Sequence, residues 1–168
     1  MASDLINSID EKNHHLAARV LARAREKGMT LGCAESCTGG MIAATLTAIS
    51  GSSDSFVGGI VSYWVDVKER VLDVDTRIIE EHGVVSTETA EAMAAGARKM
   101  LACDYAVATT GIAGPTGAEP GKPVGTVCYG IATPDGCTSF TTCAGDSREE
   151  VRARAVTRAL EALFETLS

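Results

Sequence analysis

The first residue that could do chemistry is a serine in a short glycine-rich segment. Ser36 lies in the run AESCTGG of residues 34–40, between a predicted buried strand and an Ala-rich helix. A hydroxyl at such a junction lies beside the free N–H groups of the helix start, which can bind a phosphate or an oxyanion. The alternative is structural, with Ser36 or Thr38 capping the helix and the glycines forming a tight turn. The glycine spacing matches neither GxGxxG nor GxxxxGKS.

The sequence does not offer this serine a well-placed histidine. His14 and His15 lie in a polar stretch of one predicted helix, and His82 lies at the end of another, before Gly83. We expect the first two to be solvated and His82 to interact with the helix end. A Ser-His-Asp arrangement is therefore poorly supported. Cys37 is a second candidate nucleophile, for which the sequence indicates no basic partner.

A lysine is the better candidate base, because a serine–lysine pair needs only an amine whose pKa is lowered by burial. Tyr63 and Lys68 follow the second predicted strand. A right-handed parallel crossover would bring the end of that strand to the sheet edge at which Ser36 lies. The alternative for Lys68 is a solvated helix charge next to Glu69.

Two later segments carry further candidate binding residues. A long Gly/Pro-rich loop, 111–123, follows the strand that ends at Thr110, and loops of this length are often functional. The segment GDSREEVR of residues 145–152 opens the last predicted helix, where Arg148 or Arg152 could pair with a carboxylate or a phosphate. The alternatives are a flexible surface loop and an ordinary solvated helix start.

Charge and cysteine content argue against several classes of function. The chain has 168 residues and a net charge of −7, which argues against a nucleic-acid partner. Its six cysteines include no CxxC pair, so we expect no metal site and expect the thiols to be buried as small apolar groups. The N-terminus has no signal-peptide pattern, and no segment is long and apolar enough for a membrane span. We therefore expect a cytoplasmic protein with no membrane partner.

The order of the predicted elements determines how these segments come together. Residues 1–10 are expected to form a flexible tail, and residues 11–168 one domain. The predicted helices cover 11–27, 41–49, 66–72, 76–82, 87–102 (with Ser86 as N-cap) and 148–167, and the predicted strands cover 29–34, 56–63, 105–110, 124–132 and 137–143. Helices between the early strands favour parallel pairing, and the turn at 134–136 favours a C-terminal antiparallel hairpin. The sequence thus predicts a single three-layer α/β/α domain with a mixed, mostly parallel sheet.

Taken together and in order, these motifs resemble the CinA C-terminal domain family, over roughly residues 11–167. The resemblance rests on the segment 34–40, on Tyr63 with Lys68, on TGIAGP at 110–115, on KPVGTV at 122–127 and on Gly145-Asp146 followed by Arg148 and Val151-Arg152. Active members of this family are nicotinamide mononucleotide deamidases. The length of the chain is similar to that of the stand-alone form of the family, and the resemblance implies a homo-oligomer.

The resemblance implies an amidohydrolase that converts nicotinamide mononucleotide to nicotinic acid mononucleotide and ammonia without a metal or a cofactor, in pyridine nucleotide recycling. It implies Ser36 as the nucleophile, Lys68 as the general base and Tyr63 beside them. Amide hydrolysis needs such a nucleophile, a proton acceptor that later protonates ammonia, and donors for the tetrahedral oxyanion. The implied substrate-binding residues are Glu35, Thr38, Gly39, Gly40, Thr110, Gly111, Gly114 and Arg148.

The chain departs from the family pattern at two places. Trp64 and Val65 stand where members usually carry a Ser-Asn pair, and Ser147 is inserted before Arg148. A bulky Trp64 would narrow or reshape the substrate pocket. Two alternatives therefore stay open: a catalytically silent nucleotide-binding or regulatory relative, and an amidase that acts on a different amide. The intact set of serine, tyrosine and lysine favours an enzyme.

Overall fold

The structure is a computed structural model that describes residues 2–168, with side chains described from residue 3 onward. The helices are α1 (Ala2–Lys27), α2 (Met41–Thr47), α3 (Val65–Leu72), α4 (Thr76–His82), α5 (Thr87–Leu101) and α6 (Arg148–Thr166), and the strands are β1 (Leu31–Glu35), β2 (Phe56–Val61), β3 (Tyr105–Gly111), β4 (Thr126–Thr133) and β5 (Gly136–Cys143). Apart from the start of α1, each boundary lies within two residues of its predicted position. Hydrophobic periodicity and turn residues therefore predict the boundaries of most helices and strands.

The strands form one mixed sheet in the order β2-β1-β3-β4-β5. β1 pairs in parallel with both β2 and β3, whereas β3 pairs with β4, and β4 with β5, in antiparallel fashion. The predicted mixed α/β sheet with a C-terminal hairpin is confirmed. Glu35 at the end of β1 lies in register with Val61 of β2 and Thr109 of β3. The segments after β1 and β2 therefore begin side by side at one sheet edge.

Helices cover both faces of the sheet, which completes the three layers. On one face α1, α2 and α6 pack over a large apolar cluster that includes Leu21, Ile42 and Leu160. On the other face α3 and α5 pack over small strand residues, chiefly alanines. The small side chains let these helices lie close to the sheet, so α3 is held tightly against the layer that carries the strand ends.

The contact between α3 and α5 depends on a glycine. A Cβ built at Gly96 of α5 would lie 1.9 Å from the carbonyl oxygen of Leu72, the last residue of α3. Any side chain there would force the two helices apart. This close approach fixes the position of α3, the helix that carries Lys68.

The N-terminal helix is longer than the sequence predicts. α1 begins at Ala2, so the expected flexible tail is wrong for residues 2–10, while Met1 lies outside the described residues. Ile9 is buried, and Asn13 donates to the Ala153 carbonyl (3.1 Å) and accepts from the Thr157 hydroxyl (2.6 Å). Packing against α6 therefore stabilises a polar segment whose own sequence gives it little helical preference.

Candidate active site

Ser36 is the first residue after β1, in the middle of the parallel part of the sheet. Its N–H donates to the Thr109 carbonyl at 3.0 Å, so its backbone continues the β1–β3 ladder. Only 8% of the residue is exposed. The N-cap of α2 is Gly40, with φ of 98°, so neither Ser36 nor Thr38 is the N-cap residue of this helix. The structural alternative for Ser36 therefore does not apply, and its hydroxyl is available for another role.

The structure brings Lys68 to Ser36. Lys68 is fully buried, and its Nζ lies 3.0 Å from Ser36 Oγ. It also donates to the backbone carbonyls of Ser62 (2.6 Å) and Tyr63 (3.4 Å). None of the ion pairs formed within residues 3–168 includes this amine. Complete burial rules out the alternative of a solvated helix charge beside Glu69.

Burial changes the acid–base properties of this lysine. Desolvation lowers the pKa of Lys68 to about 8, and the neighbouring Cys37 opposes this effect by favouring the ammonium. A pKa near 8 leaves about a tenth of the amine neutral at pH 7. The neutral form carries a lone pair and can accept the hydroxyl proton of Ser36. The geometry and the pKa therefore suit Lys68 to the role of general base.

The start of α2 is occupied by a side chain of the protein itself. Glu35 is fully buried, and its carboxylate accepts from the N–H groups of Gly40 (3.0 Å), Ile42 (3.0 Å) and Ala43 (2.9 Å). The Gly39 N–H donates to the Ser36 carbonyl. The N–H groups expected to bind a substrate anion are thus already bonded. Glu35, Gly39 and Gly40 shape the loop around Ser36, and their contact with substrate stays a prediction.

Cys37 is a poor nucleophile in this setting. Its side chain is buried, and burial raises the pKa of its thiol to about 11, with the Glu35 carboxylate acting in the same direction. The backbone N–H groups of Cys37 and Thr38 approach the thiol and only partly offset this rise. Since the thiolate is the reactive form, the hydroxyl of Ser36 is the better candidate.

Three of the predicted site residues form a second layer around the serine and lysine. Arg148, at the start of α6, donates from Nη1 to the Gly114 carbonyl (3.0 Å) and from Nη2 to the Tyr63 hydroxyl (3.1 Å). Tyr63 is about half exposed, and its hydroxyl points to this arginine while its carbonyl faces Lys68. One guanidinium thus joins the end of β2, the glycine-rich loop and α6, which are far apart in sequence.

The other arginine considered from the sequence supports the loop itself. Arg152, one turn further along α6, donates from Nε to the Cys37 carbonyl (3.1 Å) and from Nη2 to the Thr38 carbonyl (3.0 Å). The spacing of Arg148 and Arg152 places both on the same side of the helix. A cavity of about 440 Å³ lies beside them, lined also by Met41, Asp10 and other residues.

The remaining residues that were predicted to bind substrate have partners inside the protein. Thr38 is fully buried, and its hydroxyl bonds the Thr109 hydroxyl at 2.8 Å. Thr110 is also fully buried and donates to the Val84 carbonyl at 2.9 Å. Gly111 belongs to β3, opposite Val127, rather than to the loop. These positions support the sheet edge, and their contact with substrate stays a prediction.

Sequence reasoning missed one residue at the centre of the site. Ser62 directly follows β2, as Ser36 directly follows β1, and its N–H donates to the Glu35 carbonyl at 2.8 Å. It is fully buried, and its carbonyl accepts the shortest hydrogen bond of Lys68. Two neighbouring parallel strands that are each followed by a serine were the signal that could have found it.

Other kinds of site receive no support within the described part of the chain. No group of three or more His, Cys, Asp or Glu side chains there could hold a metal ion. Four of the six free cysteines are buried, but Cys137 and Cys143 on the edge strand β5 are exposed, which corrects the expectation for those two. No helix in residues 2–168 has the length and apolar character needed to cross a bilayer.

Comparison with known protein families matches residues 13–167 to the CinA C-terminal domain. A CinA-like protein of Synechococcus sp. (strain RCC307) is 46% identical over 150 residues, which cover 88% of this chain and 36% of that protein. A CinA-like protein of Mycolicibacterium gilvum is 49% identical over 142 residues, 84% of this chain and 34% of that protein. The chain therefore spans about a third of the length of the curated relatives it matches.

Solved structures resemble the chain over nearly its whole length. The CinA superfamily protein from Klebsiella pneumoniae 700603 aligns with a TM-score of 0.89 and 34% identity, over 92% of this chain and 97% of that one. The competence/damage inducible protein CihA from Agrobacterium tumefaciens aligns with a TM-score of 0.88 and 40% identity, over 93% and 95%. Sequence and fold point to the same family.

Proposed function

The chain belongs to the CinA C-terminal domain family, and from that premise we propose that it is a metal-independent amidohydrolase that converts nicotinamide mononucleotide to nicotinic acid mononucleotide and ammonia. The reaction would serve pyridine nucleotide recycling in the cytoplasm. The observation that carries the proposal is the 3.0 Å contact between Lys68 Nζ and Ser36 Oγ inside the protein. Burying an amine without a carboxylate partner lowers stability, and a silent binding domain would have no need for it.

Each group then has a defined task in the reaction. Neutral Lys68 takes the proton of Ser36 as Oγ bonds to the amide carbon. The resulting ammonium gives that proton to the departing nitrogen when the C–N bond breaks, which releases ammonia. Water then hydrolyses the acyl-serine with the same lysine as base. The pKa of about 8 suits both steps, because the amine can accept and return a proton near neutral pH.

The donors for the tetrahedral oxyanion must be backbone N–H groups that the Glu35 carboxylate does not already bind. The Glu35 carboxylate accepts from the N–H groups of Gly40, Ile42 and Ala43. The start of α2 therefore cannot supply the oxyanion donors. The N–H groups of Cys37 and Thr38 instead approach a thiol, which is a weak acceptor. We assign the oxyanion to these two donors, directly after the nucleophile.

The nucleotide part of the substrate needs cationic donors. Arg148 and Arg152 line the cavity of about 440 Å³, together with Met41 at the start of α2 and the acidic Asp10 and Glu149. Both guanidinium groups already bond backbone carbonyls, which orients them, and each has further N–H donors. The resemblance implies that Arg148 binds the substrate. Its position at the wall of this cavity supports a contact between its guanidinium and the phosphate.

Release of ammonia from nicotinamide mononucleotide by the purified protein tests the proposal. We expect equal turnover with and without EDTA, and a loss of roughly 10³-fold or more in Ser36→Ala, because the nucleophile is gone. Ser53→Ala, which changes an exposed serine, is the matched control and should behave as wild type. Absence of ammonia from the wild type around the pKa of Lys68 would contradict the activity, and full turnover in Ser36→Ala would contradict the nucleophile.

A different amide is the second candidate substrate, and Trp64 is the reason. This side chain is 73% exposed, directly after Tyr63 at the start of α3, so it is free to contact a bound ligand. The same assay with nicotinamide, its nucleoside and the dinucleotide separates the two substrates. Faster release from one of these would keep the serine–lysine chemistry and change the substrate.

A further inference from the structure

One buried hydroxyl at the site has no partner. Ser62 is fully buried, and its Oγ makes no hydrogen bond with any described residue. An unsatisfied buried hydroxyl is costly, and in native proteins such groups call for a functional explanation. Only one other side chain of the described residues shares this condition, that of Ser55 at the opposite end of β2.

The unpartnered hydroxyl belongs to the residue that binds the lysine most closely. The carbonyl of Ser62 accepts from Lys68 Nζ at 2.6 Å, while Ser36 Oγ lies 3.0 Å from the same nitrogen. Ser36 and Ser62 follow positions that pair in register, Glu35 and Val61. The two serines are therefore neighbours on adjacent parallel strand ends, and rotation about a single side-chain bond carries Ser62 Oγ among three staggered positions.

The proposed reaction creates a need for one more acceptor. In the resting state Lys68 Nζ has the Ser36 hydroxyl and two backbone carbonyls as partners, the Tyr63 carbonyl at a longer 3.4 Å. Once Ser36 Oγ has bonded to the amide carbon to form the tetrahedral intermediate, it is a weaker acceptor, and Lys68 has just become an ammonium with three N–H donors. A buried ammonium without a carboxylate partner is stabilised by each hydrogen bond that it can make.

We propose that Ser62 is a positioning residue for Lys68, whose hydroxyl accepts a hydrogen bond from Nζ while the lysine holds the proton taken from Ser36. The inference rests on the proposed function. The proton itself moves from Ser36 Oγ to Nζ and then to the leaving nitrogen, so Ser62 neither gains nor loses one. Its hydroxyl stabilises the protonated lysine during the life of the tetrahedral intermediate and keeps Nζ directed at the reacting atoms.

Few titratable groups of the described residues face Lys68. The Cys37 thiol, from the loop after β1, interacts with the amine, and Glu35 acts on the same thiol. Arg148 of α6 reaches Tyr63 on the outer side. α5, which packs against α3, contributes apolar residues such as Met93 to the cluster that includes Leu72. Ser62 is therefore the free hydroxyl in a site with little else to solvate the charge.

Two serine-to-alanine variants on the same strand test the proposal. Ser62→Ala and Ser55→Ala each remove one buried, unpartnered oxygen, so neither should lower the melting temperature. We expect kcat for ammonia release to fall roughly tenfold to a hundredfold in Ser62→Ala only, the usual effect of losing a hydrogen bond to a charged group. Ser62→Cys fills the same space with a much weaker acceptor and should lose activity as the alanine variant does.

The pH profile separates positioning from a structural role. Loss of the acceptor disfavours the ammonium, so the pKa of Lys68 falls, and the rise of rate with pH should move by about one pH unit toward acid in Ser62→Ala. An unchanged kcat and profile in Ser62→Ala, or an equal loss in Ser55→Ala, would overturn the role.

A failure of the role proposed for Ser62 can be distinguished from a failure of the proposed function. If the wild type releases no ammonia, the substrate proposal fails, but NMR titration of Lys68 in the wild type and in both alanine variants still decides the role of Ser62. A lower pKa in Ser62→Ala alone supports it, and identical titrations in all three proteins overturn it.

Discussion

Two fully buried charged side chains, Glu35 and Lys68, lie near Ser36, and the fold treats them differently. Glu35 has three backbone N–H donors at 2.9 to 3.0 Å, all from the start of α2. Lys68 has no carboxylate partner among residues 3–168 and is held by a hydroxyl and two carbonyls. Both residues have no exposed surface. Their burial is equal, but their solvation by the protein is not.

The difference separates a structural charge from a chemical one. The donors of Glu35 are backbone groups that stay in place throughout a reaction, so this carboxylate fixes the loop that presents Ser36. One partner of Lys68 is the hydroxyl that is proposed to react, so the environment of the amine changes during catalysis. Removing Lys68 should therefore affect mainly activity, and removing the charge of Glu35 should affect mainly stability.

Replacement of the lysine should have the largest effect. We expect Lys68→Met to lower kcat by roughly 10²–10⁴-fold, because the general base is lost. Its free energy of unfolding should change by no more than about 1 kcal/mol, since relief from burying an amine offsets the donor lost by two carbonyls. Ammonia release and urea unfolding check the two expectations. Lys99→Met, which changes an exposed lysine bonded to Asp73, is the control.

If Lys68→Met kept its activity within tenfold of the wild type, Lys68 would not be the general base. If Lys68→Met unfolded, Lys68 would be a structural charge, as Glu35 is, and the contrast between the two residues would be lost.

Replacement of the carboxylate should reverse this pattern. In Glu35→Gln an amide NH₂ takes the place of one acceptor oxygen, so at least one buried N–H at the start of α2 loses its partner. We expect the free energy of unfolding to fall by about 1–3 kcal/mol for each N–H left unpaired. Urea denaturation measures it, with the exposed Glu165→Gln as the control. Equal stability of the two variants would mean that the three N–H groups do not need the carboxylate.

The proximity of Ser36 and Lys68 was predictable from the sequence because it follows from general rules. A buried strand followed by glycines places Ser36 at a strand end, and the right-handed crossover brings the end of β2 to the same edge. Their proximity depends on topology, which hydrophobic periodicity and turn residues already determine. The mixed sheet and its C-terminal hairpin were predictable for the same reason.

The role of Glu35 was not predictable, because it depends on how the loop turns back. Gly39 and Gly40 adopt positive φ of 59° and 98°, which brings the N–H groups of α2 over the carboxylate. Local sequence indicates only that glycines permit this path. The helical state of residues 2–10 likewise depends on partners in α6, such as Thr157 opposite Asn13, about 140 positions away in the chain.

The smallest effect, and the sharpest test of the comparison, is a difference in pH dependence. Burial lowers the pKa of Lys68 from 10.5 to about 8, so between these values the unfolded chain binds more protons at this site than the folded one. The contribution of Lys68 to the free energy of unfolding must therefore rise as the pH increases from about 8 to 10.5. Other groups titrate in the same range, so the quantity to measure is the wild-type value minus that of Lys68→Met at each pH. We expect this difference to rise with pH, and the rate of ammonia release by the wild type to rise through about pH 8, because both follow loss of the same proton. A difference that stayed flat would mean that the protein solvates the lysine as fully as it does the carboxylate, and the two buried charges would then be equivalent.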